Sequence, residues 1–240
     1  MRSLPSPVSR LLSSPTLLFA LLLTVSGCAA HPTAILSIAQ ARQLKPGALV
    51  SVGGSVTVPA GLFQSSTADE GFALQDPSGG IYVSLPVNTG AEVGQTIGVT
   101  GQLSGNHGQL TIVPAATANV VKLSSATAIE PQAVATGKVN ETTLGRLLRI
   151  SGQVSGTVRD DLPYGYKFTV DDGSGAVQVF VHTSTAIDVG RVHPGEPVTI
   201  VGFGGLYERT YEVLPRFAND VQITPPKTKK HAKARSRSAK

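Results

Sequence analysis

The feature that most constrains this chain is that it is written twice. Shifted on itself by about 96 to 101 residues, the sequence matches in ordered blocks. Leu49-Val50-Ser51-Val52-Gly53-Gly54-Ser55-Val56 falls on Leu147-Leu148-Arg149-Ile150-Ser151-Gly152-Gln153-Val154. The run from Phe72 to Val83, with Gln75-Asp76-Pro77-Ser78-Gly79 at its centre, falls on Phe168 to Val179. Gly94, Ile97, Val99 and Gly101 fall on Gly195, Val198, Ile200 and Gly202, and Val113-Pro114 on Leu214-Pro215. The spacer lengths differ by a few residues, as loops do. A duplicated unit under 100 residues must close its own small core in each copy.

The residues inside each copy alternate with the period of a strand. Val50, Val52, Val56 and Val58 share one face, and Phe72 and Leu74 pair with Ile81, Val83 and Leu85 across a Pro-Ser-Gly turn. The chain has 26 glycines, 16 prolines and no tryptophan, a composition of short strands and tight turns. Gly53 and Gly54 inside the first strand mark a bend of the kind that closes a barrel. Each copy therefore reads as five strands. The last is expected over about Gln109 to Val121 in the first copy and Tyr211 to Ile223 in the second.

These phrases, "VSVGGSV", "GFALQDPSGGIYV" and "VGQTIGVTGQL", resemble the OB-fold modules of secreted bacterial nucleases and related envelope proteins, and Ile38 to Gly47 matches the short helical turn that precedes their first strand. The resemblance implies an all-β chain of two tandem five-stranded OB-fold barrels, residues 35–123 and 128–224. A linker (28–34) precedes them and a disordered basic tail (225–240) follows. It also implies that the ligand face is the outer side of strands 2 and 3 with the flanking loops. On that face and those loops the expected ligand-binding residues are Tyr82, Tyr164, Phe180, His182, Tyr207 and Arg209.

The amino terminus has a different character. Arg2 and Arg10 precede an apolar run, Leu17 to Leu23, of signal-peptide length, which ends at Val25-Ser26-Gly27-Cys28. That ending resembles the processing site of bacterial lipoproteins. It implies a leader over 1–27, lipidation of Cys28, and a membrane partner reached through acyl chains that contribute about 0.8 kcal/mol per buried methylene. Ala29 in the second mature position favours the outer membrane, on its periplasmic side, where an organism has two.

Charge divides by region. Of 20 basic residues, two lie in the leader and seven (Lys227, Lys229, Lys230, Lys233, Arg235, Arg237 and Lys240) in the last 14 positions, where there is no acid. Eleven basic residues then face all 15 acids, so the two repeats carry about −4. The expected polyanion-binding surface is the tail.

Chemistry-bearing patterns are sparse. The five histidines (31, 107, 182, 193, 231) do not pair at metal-ligand spacing, and the one cysteine excludes an internal disulfide or a thiolate zinc site. Asp171-Asp172-Gly173 reads as a turn. The expectation is a protein that is no enzyme and takes no metal or cofactor. Its expected ligand is single-stranded nucleic acid or an anionic envelope polymer; the alternative is a protein or glycan partner in the envelope.

Overall fold

A computed structural model describes residues 34–63, 69–125 and 128–224. Cys28, the leader and the tail lysines and arginines lie outside them. The first repeat forms β1 (Ile35–Leu36), α1 (Ile38–Arg42), β2 (Leu49–Val58), β3 (Phe72–Gln75), β4 (Gly80–Val83), β5 (Gln95–Asn106), β6 (Gln109–Val113) and β7 (Val120–Ser125). The second forms β8 (Gln132–Ala133), β9 (Leu147–Val154), β10 (Arg159–Asp161), β11 (Gly165–Asp171), β12 (Val177–His182), β13 (Pro197–Tyr207), β14 (Thr210–Leu214) and β15 (Val221–Ile223).

In the first sheet the order β2-β3-β4-β6-β5 returns to β2, closing a five-stranded ring. The second sheet repeats it as β9-β11-β12-β14-β13, with β11 also paired to β9. This all-β arrangement is an OB-type fold. Closure depends on the first strand serving two neighbours. Residues Leu49 to Ser55 of β2 pair with β5, and from Ser55 on the strand pairs with β3. Gly54 sits at that crossing, where a β-carbon would stand 2.8 Å from the Gln75 carbonyl oxygen; Gly152 does the same against Asp171 at 2.6 Å.

Each ring fills with its own inward residues. Val50, Phe72, Leu74, Ile81, Ile97 and Ile112 are fully buried in the first, and Leu148, Ile150, Phe168, Val170, Ile200 and Val213 hold the matching core of the second. The turn after β3 also has a common design. Asp76 accepts from the backbone of Ser78, Gly79 and Ile38, so it binds the start of α1 to the hairpin. Asp172 accepts from Ser174 and from both the backbone and hydroxyl of Thr136. The bonds from Ser174, then those from Thr136, hold the Asp172 carboxyl far below the ordinary range. The acidic turn is thus a structural clasp.

The last strand of each repeat departs from the expectation. In place of one strand over Gln109 to Val121 there are two, β6 and β7, separated by a 3-10 turn at Thr117–Asn119. Tyr211 to Ile223 likewise divides into β14 and β15 around Ala218–Asp220. Pro114 and Pro215 stand at the break, and a residue without an N–H cannot continue a ladder. The chain then resumes pairing farther along the same edge of β5 or β13, the edge opposite β2 or β9.

The two rings belong to one compact unit and are tightly docked. Val58, Phe63, Ala73, Tyr82, Phe203 and Leu214 form an apolar cluster shared between them. Beside it Leu147 N donates to Gln75 Oε1 at 2.7 Å, and Arg42 pairs with Glu141 at 2.9 Å. Gly80 and Gly145 approach so closely that a β-carbon on either meets the other's backbone. Arg216 crosses the boundary: it donates to the Thr57 carbonyl at 2.7 Å and pairs with Asp220, with both side chains buried.

Candidate functional site between the barrels

Docking leaves a cleft of about 500 Å³ lined by both barrels. Its second-barrel wall is the outer face of β11, β12 and β14. Because side chains alternate, Lys167, Gln178, Phe180 and Glu212 project from that wall while Phe168, Val179 and Val213 fill the core. The first barrel contributes the β5–β6 turn with His107, then Gln109, Thr111 and Asp69. Phe63 and Phe203 close the base.

Four expected ligand residues converge here. Tyr164, before β11, is 47% exposed, and Tyr207, at the end of β13, is 52% exposed. Both retain free ring surface. Tyr207 stacks on His107 of the other barrel at 4.9 Å. Phe180 lies across β11 because Gly165 is there; a β-carbon at that position would stand 2.8 Å from the ring. His182 is stacked on Phe63 at 5.0 Å and meets Phe180 edge-on at 4.9 Å. Burial pulls its pKa down to about 4, and its Nδ1 is buried with no hydrogen-bond partner among the described residues.

Two further expected residues are placed differently: Tyr82 lines the cleft but is nearly buried, and Arg209 stands outside it. Tyr82 does project outward from its own barrel, but the second barrel covers it: it is 9% exposed and packs edge-on to Phe203 at 6.0 Å. Burial first, then the charges of Asp69 and Glu70, push its phenol well above the ordinary value. Arg209 is exposed in the β13–β14 turn and does not line the cleft.

The polar half of the site is absent from the sequence reading. Gln178 and Glu212 are register partners on neighbouring parallel strands, and Gln178 Nε2 donates to Glu212 Oε2 at 2.9 Å. Asp161 and Lys167 pair at 3.0 Å at the rim. The available signal was Glu212 itself, an acid between the apolar residues Tyr211 and Val213 of a strand. Among the described residues no group of three His, Cys, Asp or Glu side chains is arranged to hold a metal.

No family model matches this chain, and no curated protein does. Solved structures similar to part of it include two of low identity. One is the hypothetical protein YgiW from E. coli, at 16% identity and a TM-score of 0.30, covering 38% of this chain and 90% of that one. The other is the OBody AM1L10, solved bound to hen egg-white lysozyme, at 17% identity and a TM-score of 0.33, covering 40% and 98%.

Proposed function

We propose that this chain is a non-enzymatic, exported lipoprotein whose inter-barrel cleft binds a glycan. The supporting observation is the make-up of the OB face that docking leaves open: the rings of Tyr164, Phe180 and Tyr207 beside Gln178, Glu212 and Asp161. OB-folds take oligonucleotides and oligosaccharides on this face and its loops. A sugar offers a C–H face to an aromatic ring and hydroxyls to amides and carboxylates. A phosphate chain meets three carboxylates here (Asp69, Asp161, Glu212) against one ammonium, Lys167. Export by residues 1–27 and anchoring at Cys28 belong to the same reading and hold the cleft at a membrane surface.

Polyanion binding is a second reading, favoured by the seven basic residues of positions 227–240. The two readings separate in one set of titrations. Oligonucleotide binding is expected at micromolar strength, falling steeply with salt and disappearing when the chain ends at residue 224. Oligosaccharide binding, followed by calorimetry, is expected to survive that truncation and to be insensitive to salt. Tyr207→Ala should weaken it about fivefold, the loss of about 1 kcal/mol of ring contact. A folded full chain that binds no oligosaccharide, or a Tyr164→Ala/Tyr207→Ala double variant that binds as before, overturns the glycan reading.

A further inference from the structure

Glu212 is unlike the rest of the cleft. Only 7% of it is exposed, yet its single hydrogen bond among the described residues comes from Gln178. Among the described residues no cation pairs with it. The one lysine of the cleft, Lys167, is held by Asp161 at 3.0 Å on the neighbouring strand. The remaining ionisable groups facing the cleft, besides the tyrosine phenols, are Asp69, His107 and His182. The Asp69 carboxylate is occupied by Gly71 N, Ser84 Oγ and Leu85 N. His182 is kept neutral by burial. Burial likewise raises Glu212 to about 7, against the opposing pulls of Gln178 and Lys167.

A carboxyl buried with so few partners is costly as architecture, and the fold does not require it. The first barrel is built on the same ring with Thr111 at the corresponding register position, opposite Tyr82. What Glu212 lacks is a hydrogen-bond donor carrying positive charge. The neighbouring ring faces of Phe180 and Tyr207 favour the same kind of group, since aromatic faces attract organic cations.

We infer that, on the glycan reading above, the cleft selects a sugar bearing a free, protonated amine, with the Glu212 carboxylate accepting from its ammonium group. Acetylation of that amine removes the charge and two of its three donor hydrogens, and leaves the sugar ring available for stacking.

The test compares a glucosamine tetramer with its fully N-acetylated counterpart by calorimetry on the full chain near neutral pH. The free-amine tetramer is expected to bind at least about tenfold more tightly, as a desolvated charge pair permits. Glu212→Gln, isosteric and uncharged, is expected to bring the two within about twofold while its melting temperature shows it folded. Equal binding of both tetramers by the native chain overturns the amine assignment and leaves the glycan reading standing. Binding of neither removes the glycan reading and the amine assignment with it. A folded Glu212→Gln variant that keeps the tenfold preference also overturns the role given to Glu212. The native-chain comparison decides the amine question even if that variant fails to fold.

Discussion

The two barrels share a ring topology and differ most at one place, the outer face of their fourth ring position. In the first barrel that face carries Tyr82 beside Thr111, both buried, with Phe203 of the second barrel lying over the tyrosine. In the second it carries the polar pair Gln178 and Glu212, with Gln178 half-buried, and residues of both faces line the cleft. The first-barrel face packs against Phe203 of the other barrel, and the second-barrel face leaves Gln178 and Phe180 half-buried.

The largest expected effect is on that docking. Arg216→Ala leaves Asp220 buried without its partner and should cost about 3–5 kcal/mol in denaturant unfolding. The matching residue of the first repeat, Ala115, is exposed, and Ala115→Arg should change stability by less than about 0.5 kcal/mol. Equal effects at the two positions would remove Arg216 as the asymmetric tie.

Gly80 offers a second contrast. It packs against the backbone of Gly145, so Gly80→Ala should destabilise by about 1–3 kcal/mol. The second repeat has Ala176 at that place, exposed, and Ala176→Gly should be close to neutral by the same measurement.

A third contrast is in pH dependence between about pH 4 and 7, where two oppositely shifted groups of the second barrel nearly offset each other. His182 falls from an ordinary 6.5 to about 4 on folding, so the unfolded chain binds the extra proton and stability declines as pH drops from 6.5 towards 4. Glu212 rises from 4.5 to about 7, so the folded chain holds the proton and stability declines as pH climbs from 4.5 to 7. The two slopes oppose each other between 4.5 and 6.5. His182→Gln should expose the Glu212 slope, and Glu212→Gln the His182 slope, in melting temperatures taken across that range. A flat profile in both variants would show that neither group titrates differently on folding.

The barrels were legible because barrel closure needs local signals that repeat: alternating Val and Ile, a glycine where the first strand changes partners, an Asp-x-Ser turn. The final strand of each repeat looks continuous in the sequence but divides in two, because Pro114 and Pro215 each remove a ladder donor. The aromatic half of the site was legible from side-chain alternation on β12 and from the loop tyrosines. Its polar half was not, because Gln178 and Glu212 are 34 positions apart and meet only through the parallel pairing of β12 with β14.

The sequence by itself determined that there are two like barrels, which side of each strand faces its core, and where charge lies along the chain. These follow from periodicity and composition, which are local. Only the tertiary structure decided which outward face is open. Tyr82 and Phe180 both face out from their own barrels, and the burial of one came from Phe203 of the other barrel, a contact that no spacing along the chain encodes.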